Sequence, residues 1–161
     1  MKFNAIIDFN KTDKESAVDQ YVREHFSDVD IVSDKAVQGG CSLRRPDILI
    51  DLGFQVLIVE IDDNQHTNYD CSCENKRVIQ LSIDVGHRPI VFIRFNPDEY
   101  VRDSIKVSSC WCINKIGICC IKKSKQAEWN RRLEVLKDHV EYWVKHKTDK
   151  LVETIQLFYD S

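Results

Sequence analysis

The sequence predicts one mixed α/β domain: a mixed β-sheet core flanked by helices, with an added hairpin and a long helix toward the C-terminus. Three observations predict it. Two apolar, β-branched runs, residues 47–52 and 55–61, are separated by Gly53 and read as an antiparallel hairpin. A helical pattern over 73–84, with Val78, Leu81 and Val85 on one face, precedes the continuous apolar run 90–95. That strand–strand–helix–strand order implies a crossover helix and a mixed sheet. Trp129, Leu133, Leu136, Val140 and Trp143 recur at three- and four-residue spacing and mark the longest helix, over 128–143.

In chain order, residues 3–9 form a short apolar run that reads as a leading strand. Thr12 or Asp13 caps a helix over 14–26, whose Ala17, Val18, Tyr21, Val22, His25 and Phe26 share one face. Residues 29–32 give a brief strand, and Gln38, Gly39 and Gly40 a turn. After the hairpin, short polar side chains over 68–74 suggest a loop before the helix that Gly86 ends. Residues 105–112 and 117–122 are expected to pair around a turn at 114–117, and residues 151–159 to return as a last strand. The core is then about 1–100 plus the C-terminal strand, with 104–147 as a decoration within one domain, 1–161.

Composition narrows the classes. In 161 residues, 43% hydrophobic content supplies a core for one domain. No run of 18 apolar residues predicts a membrane span, and the N-terminus lacks the apolar length and small-residue site of a signal peptide. Seven cysteines without a secretion signal point to thiols or metal ligands and to a reducing, intracellular compartment, cytoplasm or nucleus. A net charge of −3 argues against coating nucleic acid by bulk electrostatics. A local basic cluster, Lys122, Lys123, Lys125, Arg131 and Arg132, is opposed only by Glu128; it is either a contact surface or a solvated helix start.

The chemistry concentrates in RRPDILIDLGFQVLIVEIDDNQHTNYDCSCENKR, residues 44–77. Asp47 opens the first strand, and Glu60 and Asp62 end the second, so hairpin geometry brings three carboxylates to one rim; Glu60 and Asp62, two apart, share a sheet face. Like charges gather at a cost unless a cation sits among them. Mg²⁺ takes one or two carboxylates plus water and phosphate, the ligand set of metal-assisted phosphodiester hydrolysis. The plain alternative is that acids flank buried strands to keep them soluble.

Pro46-Asp47, a dozen residues, then Glu60-Ile61-Asp62 resembles the PD-(D/E)XK nuclease superfamily. Asp62 stands where that family usually has lysine, a departure shared by the very-short-patch-repair (Vsr-type) mismatch endonucleases and the EDxHD homing endonucleases, which use histidine; this chain supplies His66. The resemblance covers about residues 13–97 and implies a restriction-endonuclease-like core. It implies Asp47 as principal metal ligand and Asp62 as second, with Glu60 either binding or turned to an inner polar contact. It implies His66 as general base or acid. It also calls for an acid on the leading helix to hold water or orient His66; Glu15 is the best match and Glu24 the alternative. Arg44, Arg45, Gln65, Arg77, Lys122 and Lys123 are the candidate DNA contacts.

If the hairpin forms, Cys41 returns to the sheet end near Cys71 and Cys73, and three thiolates with an imidazole make a closed zinc site. Vsr-type enzymes carry a structural zinc beside the active site, so the resemblance supports one here. His66 is then either the fourth ligand or the free base, and a different residue closes the zinc in the second case. Cys110, Cys112, Cys119 and Cys120 fall on the expected second hairpin; strand alternation lets at most three converge, and buried free thiols fit them better.

The expected function is a metal-dependent DNA endonuclease that nicks duplex DNA with Mg²⁺ or Mn²⁺, in a repair or homing role, as a monomer or homodimer with a structural Zn²⁺. Its rivals are a catalytically inactive nuclease fold that binds nucleic acid and is stabilised by zinc, and a zinc-stabilised structural protein.

Overall fold

The computed structural model describes residues 13–66 and 71–161, and no side chain at 66 or 71. The expected strand at 3–9 lies outside the described residues. Helix α1 spans Asp13–His25, with Asp13 and Glu15 in its first turn, where acids complement the helix dipole. Strands β1 (Ile31–Ser33), β2 (Ile48–Asp51) and β3 (Val56–Ile61) form an antiparallel meander. Helix α2, Cys71–Asp84, crosses to β4, Ile90–Phe95, which runs parallel to β3. A small hairpin follows, β5 (Tyr100–Arg102) with β6 (Ile105–Val107), then a second, β7 (Trp111–Ile113) with β8 (Cys119–Ile121). Helix α3, Gln126–Lys145, leads to β9, Val152–Leu157, parallel to β4. The main sheet thus has the mixed order β1-β2-β3-β4-β9.

Alternation along the strands sorts the core into two layers. Ile48, Ile50, Leu57, Val59, Ile61, Val91, Ile93 and Phe95 meet Val18 and Val22 of α1 and Trp129, Leu133, Leu136 and Val140 of α3. Leu49, Val56, Ile58, Ile90 and Phe92 meet Leu81 and Val85 of α2. Every residue of β3 is buried, as a central strand covered on both faces must be. Gln55, 1% exposed, ties the sheet to the end of α3: its amide donates to Trp143 O and His146 O at 2.8 Å each and accepts from Thr148 N.

Three expectations change. The helix begins at Cys71, so Cys71–Glu74 is helical rather than loop. Residues 105–107 pair with 100–102, and only 111–113 pair with 119–121, so the single long hairpin is two short ones. The break falls at residues 108–110, where Cys110 is fully buried and the Ser109 hydroxyl caps Trp111 N while donating to Asp98. Arg132 is no surface charge: it is 0% exposed and donates to the carbonyls of Asn96, Asp98 and Ser108, over the Tyr100 and Phe158 rings. No helix among the described residues is long and apolar enough to cross a membrane.

Candidate active site

The register that pairs Ile48 with Val59 sets Asp47 opposite Glu60 when continued by one residue, and Glu60 lies beside Arg94 in the parallel pair β3–β4. Three charged side chains therefore stand abreast on the α2 face of the sheet, where the apolar layer ends. Glu74 and Arg77, in the first two turns of α2, lean over them. Glu15 comes from the first turn of α1, and Arg44 and Arg45 from the strand's approach. Together they line a cleft of about 410 Å³.

Asp47 accepts from Ile61 N at 2.8 Å and hydrogen-bonds Glu60. Burial pushes the Asp47 carboxyl above its usual range, and the charge of Asp62 adds to that. Glu60, 6% exposed, is pushed up to about 8, first by burial and then by the charge of Asp47; Arg77, whose Nη2 donates to its Oε1 at 2.7 Å, offsets part of the rise. Two carboxyls thus share a site in which one keeps a proton near neutral pH.

Asp62 is fully buried and turned differently. It accepts from Arg94 Nε at 2.5 Å and from the Tyr159 hydroxyl, and Arg94 also reaches Glu74. The carboxylate that abuts Asp47 is therefore Glu60, and Asp62 holds Arg94 in place from within electrostatic reach of both. Asp62 lies one residue past the end of β3, with its own N–H bonded to Phe95 O.

The other expected contacts divide. Arg44 lines the cleft, braced by Gln80 at 2.7 Å, and Arg45 lines it while holding Asp34 O at 2.9 Å. Gln65 does not: its amide is tied to Asp160 and to Glu99 O, in a separate pocket with Tyr100 and Lys106. Asn64 and Gln65 both adopt left-handed backbone, φ +52° and +56°, fixed by Asn64 N donating to Asp98 and by the Asp160 clamp. Glu24 sits exposed in the last turn of α1, bonded by Gln20, so Glu15 is the acid that reaches the cleft. Lys122 is half-buried and Lys123 exposed ahead of α3; the carboxylate cleft is lined by other residues. The His66 and Cys71 side chains lie outside the described part.

The structure does not bring Cys41 to Cys73. The backbone N–H of Cys41 donates to Asp84, the last residue of α2, whereas Cys73 is in the first turn of the same helix. Eleven residues of helix separate those points by roughly 16 Å, and the sulfurs of a tetrahedral zinc site stand within about 4 Å of one another. The loop that carries Cys41 is drawn away by Ser42, whose N–H and hydroxyl also bind Asp84.

Arg94 and Tyr159 were not singled out by sequence. Arg94 had a signal, as the one charge inside the apolar run IVFIRF; a charge in a buried strand needs a partner. Tyr159 had none, since only the parallel β4–β9 pairing carries it to Asp62.

The donor set fits a small hard divalent cation: two carboxylates meet in an open cleft, and mutual repulsion is the cost that a cation relieves. No family model matches the chain, and no curated protein matches it.

Proposed function

We propose that this chain is a metal-dependent endonuclease that nicks duplex DNA, built on a restriction-endonuclease-like core. The observation that carries the reading is the Asp47–Glu60 pair, a half-buried and a buried carboxyl in hydrogen-bond contact at the floor of a cleft edged by arginines. The order helix, three-strand meander, crossover helix and parallel strand supports it as well, because this order sets the two acids side by side.

Asp47 and Glu60 would hold Mg²⁺ or Mn²⁺. A cation there supplies Lewis-acid stabilisation for charge developing on a phosphodiester. Arg45, more than half exposed, and Arg77 present guanidinium groups that match a phosphate bidentately and orient the backbone. Asp62, with Tyr159 and Glu74, fixes Arg94 beside Glu60 so that the floor of the site does not relax when the pair ionises. His66 is assigned proton transfer, on the titration range of imidazole and its place four residues past Asp62. Glu15 faces the same cleft and orients water or that imidazole.

Supercoiled plasmid incubated with the protein and Mg²⁺ or Mn²⁺ tests the reading. Wild type should relax the plasmid, and Asp47→Asn and Glu60→Gln should each lower the rate by about 100-fold or more. Absence of nicking by wild type, or equal nicking by Asp47→Asn, overturns it.

One observation favours a second reading, an inactive nuclease fold that binds nucleic acid. Glu60 is paired with Arg77 and Asp62 with Arg94, so guanidinium groups already balance two of the three acids. That reading expects salt-dependent DNA binding without any divalent-dependent nicking.

A further inference from the structure

The second hairpin holds a pair of thiols unconnected with the carboxylate cleft. In the register of β7 and β8, Cys112 lies directly opposite Cys120. Backbone bonds from Lys122 N to Cys110 O and from Asn114 N to Ile118 O flank the pair at two-residue steps, so 112/120 is a hydrogen-bonded position of the ladder. Opposed Cα atoms at such positions are about 5.5 Å apart, within the range that a disulfide spans. The two sulfurs are 4.0 Å apart, in contact, and both residues are half-buried.

From this juxtaposition we infer that Cys112 and Cys120 are a redox modification site, a dithiol that a peroxide closes into a cross-strand disulfide and a thiol reductant reopens. One thiol gives up its proton and attacks a peroxide oxygen as the thiolate; the O–O bond breaks, the sulfenic acid forms, and the departing hydroxide (from hydrogen peroxide) takes up that proton and leaves as water. The second thiol attacks that sulfenic sulfur; the S–S bond forms, and the hydroxyl leaves as a second water with the thiol's proton. Two electrons pass from the two sulfurs to the peroxide, so no further reactant is needed.

The surroundings select this pair. Cys110 is fully buried, and Cys119, at the neighbouring register position opposite Ile113, is set by alternation on the other face. Cys41 and Cys73 belong to opposite ends of α2. The hairpin is a two-stranded ribbon outside the main sheet, packed on the core by Trp111, Cys119 and Ile121 on the face away from the pair, and it turns through Asn114–Gly117, where Gly117 has φ +83°. Closing the last 2 Å bends that ribbon and breaks no backbone bond of the five-stranded sheet.

The test treats the folded protein with hydrogen peroxide, blocks remaining thiols with an alkylating reagent under denaturing conditions, and measures intact mass and linked peptides. The expected result is loss of two alkylation sites, a peptide crosslink between 112 and 120, and full recovery after dithiothreitol. Cys112→Ser and Cys120→Ser should each abolish the crosslink, whereas Cys119→Ser should retain it. The oxidised protein should melt higher by roughly 5 °C, as a short closed loop restrains the unfolded chain. A crosslink mapped to Cys119, Cys41 or Cys73 overturns the inference. So does unchanged alkylation of both thiols, or their separate oxidation to sulfinic acids.

Discussion

Glu60 occupies a strand in which all six residues are buried, yet it must be able to ionise if the cleft is to hold a cation. Its carboxyl is pushed to about 8, against an ordinary value of 4.5, by burial and by Asp47. The sign follows from proton counting. Between pH 4.5 and 8 the folded chain keeps a proton on this group that the unfolded chain has lost, so stability falls as pH rises across that window and levels off above it. At about 1.4 kcal/mol for each unit of difference, the total is on the order of a few kcal/mol. Urea denaturation of wild type should show that decline, and Glu60→Gln, which stays neutral, should flatten it. Mg²⁺ should recover more stability at pH 8.5 than at pH 5.5, because protons compete with the cation for the same oxygens. A wild-type profile as flat as that of the variant would show that Glu60 is already ionised in the folded state.

At the level of elements, one carboxylate of α2 gathers three hydrogen bonds from the loop that feeds β2, beside the Arg44–Gln80 bond further along. Asp84, at its last turn, takes the N–H groups of Cys41 and Ser42 and the Ser42 hydroxyl, and that loop continues into Arg44 and Arg45. Gly40 makes the approach possible: a Cβ there would stand 2.8 Å from Asp84 Cγ. Gly40→Ala should therefore displace Asp84, lower stability by about 1–2 kcal/mol and weaken DNA binding, since the two arginines lose their anchor. Unchanged melting and binding would mean that the loop is held elsewhere. The elements that carry this geometry were largely visible in the sequence. The hairpin, α2 and β4 are each a run of one period bounded by Gly or Pro, and β4 spans the same residues, 90–95, in both. What escaped depends on long-range pairing. Whether 105–107 meets 100–102 or 117–122 depends on the bend fixed by buried Cys110 and by Ser109 on Asp98, which no local pattern encodes. The same holds for Asp62: its spacing from Glu60 says nothing of Arg94 and Tyr159, 32 and 97 residues on, which take its carboxylate. Arg132 looks like one charge of a basic run because its long-range partners are backbone carbonyls, which any sequence supplies, and its one carboxylate partner, Glu128, lies within that run.

For the molecule as a whole, 23 basic residues against 26 acidic ones give no general attraction to DNA, so any affinity must come from a local patch. Two patches compete. One is the cleft edge, Arg44, Arg45 and Arg77; the other is the lysine run at 122, 123 and 125 ahead of α3. Salt dependence separates them, because each phosphate contact lowers the slope of log affinity against log salt by about 0.9. With cleavage silenced by Asp47→Asn, duplex binding through the cleft edge should give a slope of roughly −2 to −3. Arg45→Ala should reduce that slope by about one and Lys123→Ala should leave it unchanged. Arg77→Ala is the less clean probe, since it also strips Glu60 of its ion pair and alters the floor of the cleft. The reverse pattern, a slope insensitive to Arg45 and diminished by Lys123→Ala, would place the duplex on the α3 side and leave the paired carboxyls without a phosphodiester to act on.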